Sequence, residues 1–177
     1  MRRLTTLTLT TTALLCVAVS LPAGNAVAQE KQQVSYKVSV ENSKYTQQLN
    51  IDVDDQQPKH ILRAYEARRT FPNDAPVING LKLVEELDRG IADLSDGNGH
   101  GTQITVYVME NGDKFFDRRA VVAQNPSGQF TSTHVGYITG GTGKLAGMQG
   151  VVRAFTNYDI KTNVTDARID IEYWIAK

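Results

Sequence analysis

The chain has 177 residues, 19 of them basic and 19 acidic, with 41% hydrophobic residues and a single cysteine. Balanced charge excludes a basic field able to hold nucleic acid or an anionic membrane. One cysteine excludes a disulfide framework and thiolate metal sites within the chain.

Arg2 and Arg3 precede an apolar, Thr-rich stretch from Leu4 to Leu21, and Ala26-Val27-Ala28 forms an A-x-A pattern. These are the parts of a secretory signal, which predicts cleavage after Ala28 and a secreted or periplasmic protein. Leu4-Thr5-Thr6-Leu7 matches the twin-arginine motif poorly, and Cys16, between Leu15 and Val17, lacks the setting of a lipoprotein box. Taking 28 from 177 leaves 149 residues (29–177) with no second apolar span, and 17 basic against 19 acidic groups. That is one domain, large enough to bury about 68–70% of its unfolded surface.

Strand periodicity dominates from there on. Val34, Tyr36, Val38 and Val40 alternate with polar residues, and Tyr45, Leu49, Ile51 and Val53 follow the turn Glu41-Asn42-Ser43-Lys44, so 33–53 is expected to be a hairpin. Residues 59–71 fit a helix after Pro58 or a strand equally, and Asn73-Asp74-Ala75-Pro76 is a loop. Leu81, Leu83, Leu87 and Ile91 share one face of 81–94, and Asp96 to Gly101 turns the chain. Ile104, Val106 and Val108 lead to Asn111-Gly112, a strong hairpin signal. Further strands are expected over Lys114–Ala123, Phe130–Thr139 and Val151–Tyr158. In the last strand Ala167, Ile169, Ile171, Tyr173 and Ile175 face one way. Eight or nine strands without a long amphipathic helix predict an all-β antiparallel sandwich or barrel.

The densest glycine cluster, Gly140, Gly141, Gly143, Gly147 and Gly150, lies between two of these strands. It is not a P-loop, because Ile138 stands where the first glycine belongs and Leu145 follows Lys144. Its spacing also misses the dinucleotide fingerprint. A strand connection is expected, with positive φ at Gly140, Gly141 or Gly143 and close backbone contact at Gly147 and Gly150.

Tyr137-Ile138-Thr139-Gly140-Gly141-Thr142-Gly143-Lys144-Leu145 through Gly150 resembles a segment shared by allene oxide cyclases and dirigent proteins. Gly99-His100-Gly101-Thr102-Gln103 is similar to that superfamily's glycine-led central hairpin, and Asp166 to Tyr173 to its closing strand. The resemblance covers roughly 97–175, with only strand rhythm in common over 29–96. It implies a single eight-stranded antiparallel calycin-like barrel, where strand rhythm alone allows eight or nine. It further implies a homo-oligomer, since plant members are often trimers. Family activity is not carried over, because the residues that perform it lie where this chain does not align.

Little in the sequence points to chemistry. Asp96, Asn98 and His100 lack the Glu of a calcium loop, since Tyr107 stands at the twelfth position. His60, His100 and His134 have no ligand spacing and are expected at the surface or rim, so no metal or cofactor is predicted. There is no Gly-x-Ser-x-Gly elbow. Asn163-Val164-Thr165 matches a glycosylation acceptor, relevant only in a eukaryotic secretory pathway.

Inward-facing charges are the candidate ligand-binding groups. With an unbroken period across 81–91, Glu85 and Arg89 share the face of Leu81 and Leu83 and must be paired inside the barrel. A β-bulge near Glu85-Glu86 would instead flip the phase and leave them in water. With a two-residue turn at Asn111-Gly112, Asp117 faces Val106 and Arg119 faces Ile104, either as a cavity pair or with Tyr107 on an opposite, core face. Three functions follow: a barrel binding a small, mostly apolar molecule, a cyclase- or dirigent-like guide for a reactive intermediate, or a filled structural barrel. The second lowers an entropic barrier without a nucleophile.

Overall fold

The computed structural model describes residues 30–54, 59–159 and 164–176. The expected signal at 1–28, Cys16 within it, and Asn163 of the glycosylation acceptor lie outside these residues.

The described chain is all-β and antiparallel, with single 3-10 turns and no α-helix. Its ten strands are β1 (Gln32–Val38), β2 (Ser43–Asp52), β3 (His60–Thr70), β4 (Val77–Ile78), β5 (Leu81–Ser95), β6 (Asn98–Met109), β7 (Lys114–Gln124), β8 (Gln129–Gly141), β9 (Met148–Asp159) and β10 (Val164–Ile175). They form one sheet in the order β1-β10-β9-β8-β7-β6-β5-β3-β2, with the short β4 paired to β5. The sheet curls until its edges approach. Tyr36 on β1 meets Glu86 on β5, and the Tyr36 ring lies edge-on to Phe71, 5.7 Å between centroids, just after β3. No ladder joins β1 to β2, so the barrel is open along that seam.

Ten strands replace the expected eight or nine, and the segment at 59–71 is strand β3. The expected 33–53 hairpin does not form. β1 pairs with β10, where Val34, Tyr36 and Val38 lie opposite Ile171, Ile169 and Ala167. Those apolar pairs bury the inner side of β1 on a complementary strand. A 3-10 turn at Val40–Asn42 then carries the chain across the seam to the other edge. A bulge between Tyr45 and Gln47 puts Leu49 and Ile51 on the outside of β2, 59% and 54% exposed.

Turn chemistry fixes the hairpin registers. Asn79-Gly80 and Asp96-Gly97 have positive φ at both residues (50° and 76°, 50° and 75°), the two-residue turn that matches strand twist. Asn111-Gly112 behaves differently. Only Gly112 is left-handed there, at φ 85°, and the Met109 N–H bonds the Asp113 carbonyl at 2.8 Å around a longer loop. That one-residue difference moves Phe115 opposite Tyr107 and Asp117 opposite Thr105.

Inside, the faces divide by chemistry. Val38, Val152, Ala154, Ala167, Ile169, Ile171 and Tyr173 make an apolar wall from β1, β9 and β10. Ile78, Leu83, Met109, Phe115, Leu145 and Met148 continue it. The glycine cluster serves that wall as a strand connection. Gly140 and Gly143 have φ of 148° and 53°, Gly141 does not have positive φ, and Leu145 between the strands is fully buried. Asp113 accepts the Lys144 N–H at 2.9 Å, and this bond, with the Asn111 amide, holds its carboxyl below the usual range. Gly147 and Gly150 approach Ala176 and Glu172 backbone too closely for a side chain.

Candidate functional site

The inward positions of β3, β5, β6 and β7 include a cluster of polar residues, which is unusual for a barrel this well packed. They carry Arg69, Glu86, Asp88, Gln103, Thr105, Tyr107, Asp117 and Arg119, with Ser132 and His134 added from β8, all buried. Such groups persist inside only when paired or hydrogen-bonded.

Two linked networks supply the partners. Tyr65 donates to the Gln103 carbonyl at 2.9 Å, and the Gln103 amide donates to Asp88 at 2.8 Å. Thr105 also donates to Asp88 at 2.8 Å, and Arg69 reaches Asp88 at 2.6 Å and Glu86 at 3.2 Å. Tyr36 closes this chain by donating to Glu86. In the second network Tyr107 donates to Asp117 at 2.7 Å. Arg119 binds the same carboxylate through Nε at 2.8 Å and touches the Tyr107 hydroxyl. Tyr107 stacks on Phe115, centroids 3.9 Å apart.

Burial pushes the carboxyls of Glu86 and Asp117 above the ordinary range, against the opposing pull of Arg69 and Arg119 respectively. Burial likewise raises the Tyr36, Tyr65 and Tyr107 hydroxyls. His134 moves the other way, down to about 3, chiefly by burial and then by the Arg119 charge.

Of the sequence candidates, Tyr107, Asp117 and Arg119 come together here. Glu85 and Arg89 do not. A bulge between Leu83 and Glu85 flips the phase of β5, so Leu81 and Leu83 point in and then Glu86 and Asp88 do. Glu85 and Arg89 sit on the outer face, paired with Arg68 and, at 2.7 Å, with Glu66. His134 is a further correction, being buried rather than at the rim, while His60 holds Asp93 at 2.6 Å on the outside. The signal that could have found Glu86 and Asp88 is their own period-2 spacing beside the doubled Glu85-Glu86.

A cavity of about 60 Å³ opens beside the first network. Arg69, Asp88, Gln103, Ser132, His134 and Thr156 give it polar walls, and Ala67, Leu94, Val121 and Ala123 apolar ones. Tyr45, Arg63 and Tyr65 form its rim, with the Arg63 guanidinium 4.8 Å and 5.4 Å from the two ring centroids. Gly90 belongs to this arrangement, since a Cβ there would meet the Tyr65 ring at 2.5 Å. Among the lining residues Arg63 Nε, Arg69 Nε and His134 Nδ1 have no hydrogen-bond partner, and Asp88 Oδ2 has only its ion pair with Arg69. Ser132 Oγ lies 2.8 Å from His134 Nε2, yet a ring that protonates only near pH 3 is too weak a base to activate a hydroxyl at neutral pH.

Larger hollows of about 690 and 440 Å³ lie on the outer face of β2, β3, β5 and β6. They are open and shallow, and Leu49, Ile51, Leu62 and Ile91 stand exposed around them. Arg63, whose Nε is buried without a partner, lines one of them, but the nine-tenths-buried Arg69 and His134 line only the interior cavity, which is the better candidate site. Among the described residues no group of three or more His, Cys, Asp or Glu could hold a metal ion. No described helix is long and apolar enough to cross a membrane.

No family model matches the chain, and neither a curated protein nor a solved structure does.

Proposed function

We propose that this barrel binds a small molecule in the cavity beside Arg69 and His134. The carrying observation is that Arg69 and His134, both more than nine-tenths buried and both lining one cavity, each keep a polar atom without a partner, beside an Asp88 oxygen held only by its ion pair with Arg69. An unmet buried polar atom costs about 1–3 kcal/mol, so a bound group that meets both is favoured. At about 60 Å³, and roughly 10–15 Å³ per water-sized probe, the enclosed part of the ligand has about four to six non-hydrogen atoms. The remainder would pass between Tyr45 and Tyr65 toward solvent. The expected mostly apolar ligand therefore becomes one with a polar buried end against an apolar wall of Leu94, Val121 and Ala123.

The resemblance of residues 97–175 to the allene oxide cyclase and dirigent barrels supports a ligand-holding interior, and the signal-like start supports a secreted or periplasmic setting. A homo-oligomer remains part of this proposal on the same resemblance. The binding reading is tested by ligand-observed NMR with a fragment mixture against the wild type and Ala123→Leu, which fills the cavity. Hits lost in a folded Ala123→Leu protein are expected. Hits that persist undiminished, or none at all, would remove the interior as a binding site.

A further inference from the structure

We infer that two copies of this chain pair through the free edge of β2, antiparallel about a two-fold axis, with Asn50 opposite Asn50 of the second copy. This pairing is independent of the cavity, and it rests on the homo-oligomer proposed above, to which it gives a surface and a symmetry. The first ground is the state of that edge. Among the described residues no strand pairs with the outer side of β2, and every residue from Lys44 to Asp52 is exposed. Monomeric proteins blunt such an edge with charge, proline or a bulge. β2 has its bulge and Lys44 at one end, and from Thr46 to Ile51 it carries neither a charge nor a proline.

The second ground is which backbone groups are free. The Val53 N–H bonds the His60 carbonyl at 2.9 Å. Direction alternates along an antiparallel ladder, so Leu49 and Ile51 also turn their backbone groups to β3, while Gln48, Asn50 and Asp52 turn theirs to the open side. Centred on Asn50, these three meet Asp52, Asn50 and Gln48 of the second copy in about six backbone hydrogen bonds. The same register sets Leu49 against Ile51 of the second copy on the outer face, as the closer, non-hydrogen-bonded kind of pair. On each copy that row continues from Leu49 through Ala64 to exposed Ile91, and from Ile51 to exposed Leu62, so one apolar strip crosses the junction. No like charges meet, since Asp52 faces Gln48. The edge is thus its own complement. Pairing with itself closes the assembly at two copies, whereas pairing β2 with the β1 edge of another copy would propagate. A ladder this short is a small interface, which sets the expected affinity in the micromolar range.

Sedimentation equilibrium of the chain from Gln29 onward is the test. A monomer–dimer equilibrium is expected. Asn50→Pro removes an N–H that β3 does not use, so the fold is kept, and the loss of one hydrogen bond from each copy is expected to weaken the dimer by about tenfold or more. Leu49→Lys is expected to weaken it similarly, and adding Ile51→Glu to recover the loss at low salt, because each new amine then faces a new carboxylate across the axis. An oligomer of any size that Asn50→Pro and Leu49→Lys leave unchanged would overturn the β2 pairing and leave the homo-oligomer reading intact. A monomer at every concentration up to the millimolar range would remove both.

Discussion

His134→Leu is expected to make this protein more tolerant of mild acid. The unfolded chain's His134 protonates near 6.5, whereas the folded ring waits until about 3 because it is buried and faces Arg119. Its folded value is depressed, so between those limits the unfolded state binds the proton that the folded state refuses. Stability is therefore whole above about 6.5 and is lost as the pH falls toward 3. The full span, at roughly 1.4 kcal/mol per unit, comes to about 5 kcal/mol. Linkage places about 2.5 kcal/mol of it between pH 7 and pH 4.5, a large share of the roughly 5–15 kcal/mol that holds a domain together.

Other groups titrate in the same range. Glu86 and Asp117, raised by burial, contribute stability that is present in acid and lost as the pH rises through their folded values. Glu66, Asp113, Asp170 and Glu172, held down mainly by hydrogen bonds from Thr46, Lys144, Ser35 and Lys31, contribute above the ordinary carboxylate range and lose it in acid. All of these are common to wild type and His134→Leu, so the difference between the two isolates the imidazole. Urea unfolding at pH 7 and pH 4.5 is the assay. Wild type is expected to lose about 2.5 kcal/mol more than the variant over that interval. Equal losses, or a ring that titrates near 6.5 in the folded protein by NMR, would refute the burial argument.

Removing Arg119 alone, as Arg119→Met, strands the fully buried Asp117 and is expected to cost about 3–5 kcal/mol in urea unfolding. Replacing the whole triad, Tyr107→Phe with Asp117→Leu and Arg119→Met, removes every partner together and should recover most of that loss. A triple variant as unstable as the single would show that the network is worth more than its desolvation. In the glycine cluster, Gly143→Ala puts a Cβ 1.9 Å from Asp113 Oδ1 at φ 53°, for an expected loss of about 2–3 kcal/mol. In an Asp113→Ala background the same change should cost less by thermal melting. Full additivity would deny the contact.

How much of this was legible depends on the residue. Ala167, Ile169, Ile171 and Tyr173 alternate cleanly, and all four are buried where their period puts them. Asp117 and Arg119 were legible as a cavity pair, but Tyr107 fell on the opposite face in that reading, because the loop at Asn111-Gly112 is longer than the dipeptide suggests. A β-bulge near Glu85-Glu86 was legible as one of two phases for β5, and the structure takes it, which turns Glu86 and Asp88 inward. The 33–53 pairing failed for another reason. Turn signals are local, while the partner of β1 lies at the far end of the chain and is selected by packing.

That distant partnership also orders assembly. Gln32 pairs with Tyr173 and Val38 with Ala167, so the first strand waits for the last one. Every ladder from β2–β3 through β9–β10 joins strands close in the chain and can form early, whereas the β1–β10 ladder closes a loop of more than a hundred residues and carries its entropy cost. Until it forms, β10 presents a bare apolar inner face and an unpaired edge. The concluding event of folding, on this topology, is the capture of the first strand by the last.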